Sequence, residues 1–458
     1  MHLILSTSTK HPERSGAPFD YAARPLSGAP RSRRMRTFRN LLLLLSLLLA
    51  GCAPTPTPGR PTATPPATAA PTATSPPDAT SPPSAPTPLR VWLPPDFAPD
   101  DSTPGGHVLA EQITKFEVTH PGQRVEVRLK RASGAGGLLA SLLAAYNVAP
   151  AVLPDLIAFD RDDLITAAKA GLVIPLDAFL SPESLADYYP FAQAMSRVDD
   201  RLAGLPFAAD ARVLVYNMQL YPTPPRAWAD VITGTLIIPG AELSGLTLLD
   251  VYLSLGGTLA DASGQTALDS ELVAEVLTVL QLAHTAGVLP LSTLAYEDPA
   301  ATWQVFRERR ATLAVTSAQW FLRERQRVSG AGATLIPTTD GVPFALASGW
   351  SWAVVNTAPE RQAAAMELLR WLTDPAQLGA WTLAAQVLPP RAAALARWGS
   401  SLPTAFAADV LTHAQPQPSA EVVARVGPPL RQALDDVLSG RATPFTAATT
   451  AAQAVAPP

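Results

Sequence analysis

From Leu89 onward the apolar residues switch repeatedly between two periods. LRVWLP (89–94) is a short continuous apolar run and predicts a buried strand. HVLAEQITKFEVTHPG (107–122) sets Val108, Leu109, Ile113 and Phe116 at helical spacing, and RVEVRLKR (124–131) alternates as a half-buried strand does. GLLASLLAAYN (137–147) then reads as helix and PDLIAFD (154–160) as strand. RDDLITAAKAG (161–171) reads as a helix closed by Gly171. Alternating strand and helix predicts an α/β fold with right-handed crossovers and a mostly parallel sheet. The glycine-rich SGAGG (133–137) has neither the lysine of a P-loop nor G-x-G-x-x-G spacing, so it reads as a flexible lead into the next helix.

Upstream the texture is different. Arg31, Arg33, Arg34, Arg36 and Arg39 precede an apolar run from Leu41 to Ala50, which is too short for a membrane span of about 20 residues. The order basic, apolar, small is that of a secretory signal. Its end, Leu49-Ala50-Gly51-Cys52, resembles the lipobox of bacterial lipoproteins, in which the cysteine is acylated and becomes the mature N-terminus. Cys52 is the only cysteine, so an intramolecular disulfide is excluded and lipidation is the expected use of the thiol. A signal peptide over 35–51 makes residues 1–34 an unusual preface, and Met35 is the more typical start. Residues 52–88 form a proline- and threonine-rich tract with almost nothing to build a core from. It reads as an extended tether, reaching about 110 Å at about 3.1 Å per residue.

Composition narrows the function. The chain has 458 residues, 47% of them hydrophobic and only 16% charged, with net charge −4, so two ordinary domains fit after the tether. Lysine occurs only at 10, 115, 130 and 169 and no basic stripe exists, which argues against nucleic acid as a partner. The six histidines fall into no metal-ligand spacing, and G-x-S-x-G is absent. No cofactor is implied.

FEVTHPGQRVEV, PDLIAFDRDDLITAAKAGLVIPLDAFL, GLPFAADARVLVYNMQLY, PPRAWADV and LGGTLADASGQTALDS occur in an order that resembles the sugar-binding class of ABC-transporter solute-binding proteins, the family of maltose-binding protein. FRERRATLAVTSAQWFL, TDGVPFALASGWSWAVVNTAPERQAAAMELLRWLTDPAQ, VLPPRAAA and ALDDVLSGRATPFTAA continue the likeness to about Ala451. The resemblance implies a two-lobed, type II periplasmic-binding-protein-like fold with a hinge and a ligand cleft between the lobes. One lobe would take 89–207 plus 337–375, and the other 208–336 plus 376–458.

A sugar cleft needs aromatic faces against pyranose C–H groups and carboxylates or amides for the hydroxyls. AFDRDD offers Phe159, Asp160, Asp162 and Asp163. By the resemblance Phe159 falls at a cleft tryptophan of the family, Asp162 at a sugar-binding aspartate, and Asp163 at a sugar-binding arginine, which reverses a charge. The competing reading of this loop is a helix N-terminus furnished with acids for dipole reasons. Asp210 matches a ligand-contacting acid, although Arg212 on the same strand face offers a plain ion pair instead. Trp320 matches a sugar-stacking tryptophan, with Gln319 beside it. Trp350 and Trp352 alternate on a strand and share a face, so cleft and core compete for them. Trp228, Trp303 and Trp371 read as packing residues. The family's terminal-helix tryptophan falls near Gly427, a departure that argues against a maltodextrin ligand.

The resemblance thus implies a monomeric, lipid-anchored extracytoplasmic protein that binds a carbohydrate and delivers it to an ABC permease. A polyamine or anion ligand, a sensing role at a membrane kinase, and an anchored glycosidase stay open as alternatives.

Overall fold

The computed structural model describes residues 87–456 apart from 232. The expected signal peptide, Cys52 and nearly all of the expected tether lie outside the described residues. In chain order come β1 (Leu89–Leu93), α1 (Pro104–Thr119), β2 (Val125–Leu129), α2 (Leu138–Tyr146), β3 (Leu156–Asp160) and α3 (Arg161–Lys169). Two short helices, α4 (Pro182–Leu185) and α5 (Pro190–Met195), and a hairpin of β4 (Arg197–Val198) and β5 (Arg201–Leu202) lead into the long β6 (Leu205–Asn217). Next are β7 (Leu236–Ile237), α6 (Leu246–Ser254), α7 (Ser270–Thr285), α8 (Pro299–Arg307), β8 (Leu313–Ser317), α9 (Ala318–Glu324) and β9 (Ala331–Thr334). Then follow β10 (Ala345–Val354), α10 (Pro359–Thr373), α11 (Pro375–Ala385), α12 (Ala392–Leu395), α13 (Leu402–His413), β11 (Ala414–Pro416), α14 (Ala420–Leu438) and α15 (Pro444–Val455).

The first elements match the apolar periods closely, and their ends are set by caps. Helix α1 begins three residues before its apolar pattern because Thr103 Oγ1 accepts the Gly106 N–H at 3.0 Å and Pro104 occupies the first turn. After α3, Gly171 takes φ 68° and Leu172 N–H donates to Ala167 O at 3.0 Å, a Schellman-type stop. Strands β1 and β3 are apolar apart from Arg90 and Asp160 because helices cover both faces of their sheet. Leu89, Val91, Leu93, Leu156 and Ala158 face the core with Phe116, while Trp92, Ile157 and Phe159 face Leu138, Leu142 and Leu164.

One sheet of order β2-β1-β3-β10-β6-β8-β7 runs through both lobes, with β11 on β10 and β9 on β6. Pairs β1–β2, β1–β3, β7–β8 and β10–β11 are parallel, but β10–β3, β10–β6, β6–β8 and β6–β9 are antiparallel. The expected mostly parallel sheet is therefore a mixed one. The reason is β6 and β10, which carry the chain between the lobes in opposite directions. Residues 205–211 of β6 pair with β10, and residues 212–216 pair with β8. Beyond that point Leu214, Tyr216 and Leu236 pack with Tyr252, Val276 and Leu434 as a separate core.

The expected lobe boundary at 375 falls at the start of α11. Helix α11 packs on α1, where Gln112 Nε2 donates to Gln377 O at 2.7 Å and Trp381 meets Phe97 edge-on at 5.6 Å. Trp398 still belongs there, donating from Nε1 to Thr382 Oγ1 at 3.2 Å. Phe406 of α13 then meets Phe321 of α9 at 5.1 Å. Among the described residues no helix is long and apolar enough to cross a membrane.

Candidate functional site

The strand registers bring several of the candidate residues to one line across the junction of the lobes. Trp350 of β10 lies opposite Asp160 of β3 on one side and Ala208 of β6 on the other, and Ser348 lies opposite Asp210. Directly opposed residues share a sheet face, as do residues two apart, so Asp160, Trp350, Ser348 and Asp210 face the same way. Asp210 Oδ1 accepts the N–H groups of Gln319 and of Ala211, both at 2.9 Å. That links the line to the first turn of α9, whose N-cap Ser317 Oγ accepts the Trp320 N–H at 3.3 Å. Trp320 is 37% exposed and Ser348 is exposed, so the junction meets solvent.

Burial holds the carboxyl of Asp210 above the usual range, against the pull of these N–H donors and of nearby Arg212. The competing reading, an Asp210–Arg212 ion pair, does not hold. Arg212 instead makes a nearly buried ion pair with Glu242. Behind it Asp250, 2% exposed on α6, accepts the Leu346 N–H of β10 at 3.0 Å, and burial pushes its carboxyl up to about 7. Neither Glu242 nor Asp250 is singled out by sequence pattern. The one signal the chain offers is the lone acid inside the apolar run LTLLDVYLS.

The acids of AFDRDD divide by role. Asp160 is the N-cap of α3, accepting the Asp163 N–H at 2.9 Å, and burial raises its carboxyl. Asp162 Oδ2 accepts the Ala420 N–H at 3.0 Å, and Arg161 Nη1 donates to Gln417 O at 2.6 Å. Together they fasten the start of α14 to α3. The helix-terminus reading of this loop accounts for Asp160, and Asp162 serves a second helix in the same manner. The Asp163 carboxylate has no hydrogen-bond partner among the described residues. Burial, then Asp160 and Asp162, push its carboxyl up to about 6.

Two aromatic candidates are corrected. Phe159 is 0% exposed, because its side chain leaves β3 on the face opposite to Asp160 and packs with Leu138, Leu142 and Leu164. Trp352 is 3% exposed and stacks on Phe207 with ring centroids 4.6 Å apart. Neither can stack on a ligand without unpacking the core. Trp350 shares their aromatic cluster through an edge-on contact with Phe97 at 5.5 Å but is only half-buried. Trp303 is buried, Trp228 is packed against the second-lobe core, and Trp371 donates from Nε1 to Gln112 O at 3.0 Å, so all three are packing residues. Gly427 has a steric reason: a Cβ there would lie 2.5 Å from the carbonyl oxygens of Leu243 and Ser244. A tryptophan has no room at that position.

What these groups can do chemically is accept hydrogen bonds and cover an apolar face. Among the described residues no cluster of ligand side chains suits a metal ion.

Comparisons with known proteins bear on the family and the fold. Residues 111–411 match the family model described as bacterial extracellular solute-binding protein. A maltotriose-binding protein of Pyrococcus abyssi is 28% identical over 78 residues, 17% of this chain. A probable amino-acid ABC transporter periplasmic-binding protein of Sinorhizobium fredii is 26% identical over 234 residues, 44% of this chain. These matches span 17% and 51% of the two relatives' own lengths. The solved structure of the sugar-binding protein MalE from Xanthomonas citri superposes with a TM-score of 0.67 at 20% identity, covering 81% of this chain and 96% of that one. The fold is therefore the two-lobed type II one, and the chain belongs to the bacterial extracellular solute-binding proteins.

Proposed function

We propose that this is a lipid-anchored extracytoplasmic protein that captures a carbohydrate between its lobes and presents it to an ABC permease. The observation that carries this reading is the convergence of a solvent-facing Trp320, a half-buried Trp350 and the carboxylates of Asp160 and Asp210 where β6 and β10 cross. An aromatic surface covers the C–H face of a sugar ring while charged acceptors take its hydroxyl protons, and groups carried on two lobes let closure enclose the ligand. The names of the maltotriose-binding relative and of the sugar-binding structural neighbour support the same class. Cys52 would hold the protein at the membrane through acyl chains, and the proline-rich tract would give it reach.

A second reading has one specific observation behind it. Asp163 stands beside two other carboxylates while the neighbouring Arg161 is directed to a backbone carbonyl, so a cationic solute such as a polyamine would find uncompensated negative charge. A thermal-shift screen of mono- and oligosaccharides, amino acids and polyamines on the exported chain tests both. A ligand-dependent rise in melting temperature with a saccharide, lost in Trp320→Ala, is the expected result. Stabilisation by polyamines or amino acids and by no saccharide would overturn the carbohydrate reading. Permease genes beside this one would favour delivery over sensing.

A further inference from the structure

We propose that the outer end of the second lobe carries a separate binding site for a phosphoryl or similar oxyanion group, built around Arg309. A cavity of about 120 Å³ opens there, between the far end of β6, the last turn of α8, the start of β8 and the turn before β9. A single water needs about 10–15 Å³ by the same kind of measure, so a tetrahedral anion has room. Seven residues of extended strand separate Asp210 from Asn217 at the cavity, about 23 Å, so this is not part of the junction site.

The lining is rich in donors and contains no carboxylate. Arg309, Asn217, Gln219 and Ser329 supply it, with Phe306 and Val328 as apolar walls. Asn217 Oδ1 already accepts the Gln219 N–H at 2.9 Å, which leaves the amide nitrogen of Asn217 as its remaining polar group. Oxyanions are held by this combination of guanidinium, amide and hydroxyl donors.

Arg309 itself is out of place as a structural residue. Helix α8 ends in a Schellman arrangement, with Arg309 N–H donating to Phe306 O at 2.9 Å and Arg310 N–H to Val305 O at 3.1 Å. The left-handed position, φ 58°, is occupied by Arg309 where glycine is the usual residue. A side chain there is strained, and Arg309 is exposed, so burial does not offset the cost. Among the described residues Arg309 has no carboxylate within ion-pair distance, whereas Arg307 pairs with Glu324 and Arg310 with Glu308.

Charge supplies an independent argument. Residues 306–310 and 323–327 hold six arginines against two glutamates, in a chain of net charge −4. The Arg307–Glu324 contact brings the two segments together beside the cavity. A local positive field around a donor-lined cavity attracts anions.

The test uses the exported chain with Cys52→Ser, so that no acyl chain contributes, compared with the same chain carrying Arg309→Gly. Calorimetric titration with inorganic phosphate at low salt measures the free anion. Co-sedimentation with phosphatidylglycerol and with phosphatidylcholine vesicles measures a lipid headgroup. Binding in at least one arm, weakened tenfold or more by Arg309→Gly, is expected, and the arm that responds names the source. Arg309→Gly should melt at the same or a higher temperature, because glycine relieves the left-handed strain. Absence of binding in both arms, undiminished binding by Arg309→Gly, or a lowered melting temperature for that variant would each overturn the proposal.

Discussion

The Asp210 carboxylate accepts the Gln319 N–H at 2.9 Å and so ties the first crossing strand to the helix that presents Trp320. A residue read from the sequence as a ligand contact or an ion-pair partner of Arg212 thus satisfies a donor in the first turn of a helix, and this changes how its substitution must be read.

Asp210→Ala should lower the ligand-free stability by about 1–2 kcal/mol, because two backbone donors lose their acceptor. Asp210→Asn keeps an acceptor oxygen and should retain most of that stability. If Asp210 also takes a ligand hydroxyl, chemical denaturation will show Asp210→Asn near wild type while calorimetry shows its ligand affinity reduced. Equal loss of stability in both variants would count against the capping role.

Asp163 gives a pH signature. Its folded carboxyl titrates at about 6, above the roughly 3.9 of an unfolded aspartate, so the folded state binds this proton more tightly. Its contribution is present below the unfolded value and is lost as pH rises through about 6. Asp163→Asn, which stays neutral, should raise the melting temperature at pH 7.5, and the gain should vanish by about pH 4. A gain independent of pH would refute the assignment.

The aromatic candidates should separate into two classes. Phe159→Ala and Trp352→Ala empty packed core and should each cost about 3–5 kcal/mol in urea unfolding. Trp320→Ala removes an exposed ring and should change ligand-free stability by no more than about 0.5 kcal/mol, while abolishing ligand-induced stabilisation.

At Gly427 even one methyl group is too much. Gly427→Ala brings a Cβ against the carbonyls of Leu243 and Ser244, and a loss of about 1–3 kcal/mol is expected on thermal unfolding.

Cys52→Ser should move the protein from the membrane pellet to the soluble fraction after cell lysis. Retention that still requires detergent would show that something other than an acylated Cys52 holds it.

Much of the molecule is legible in the spacing of its apolar residues. The period-2 and period-3.6 runs from Leu89 to Gly171 locate three strands and three helices, because apolar spacing records which face of an element is covered. The expectations of a signal peptide and a tether rest on residue order and composition and concern residues outside the described ones. The candidate site is only half legible. Asp160, Asp210 and Trp350 lie on one sheet face and Asp210 bonds the helix that carries Trp320, yet Phe159, one residue from Asp160, turns away, since neighbours on a strand leave opposite faces and sequence does not say which face is core when both are apolar. Glu242 and Asp250 come from elements distant in sequence and join the junction only through packing against β6 and β10. Caps and ion pairs between distant segments, such as Asp162 with Ala420, depend on where the chain crosses between lobes. Local spacing determined the elements of this protein. The crossings of β6 and β10 decided which residues share the junction, because pairing in register with β3 and β8 sets segments far apart in the chain side by side on one sheet face.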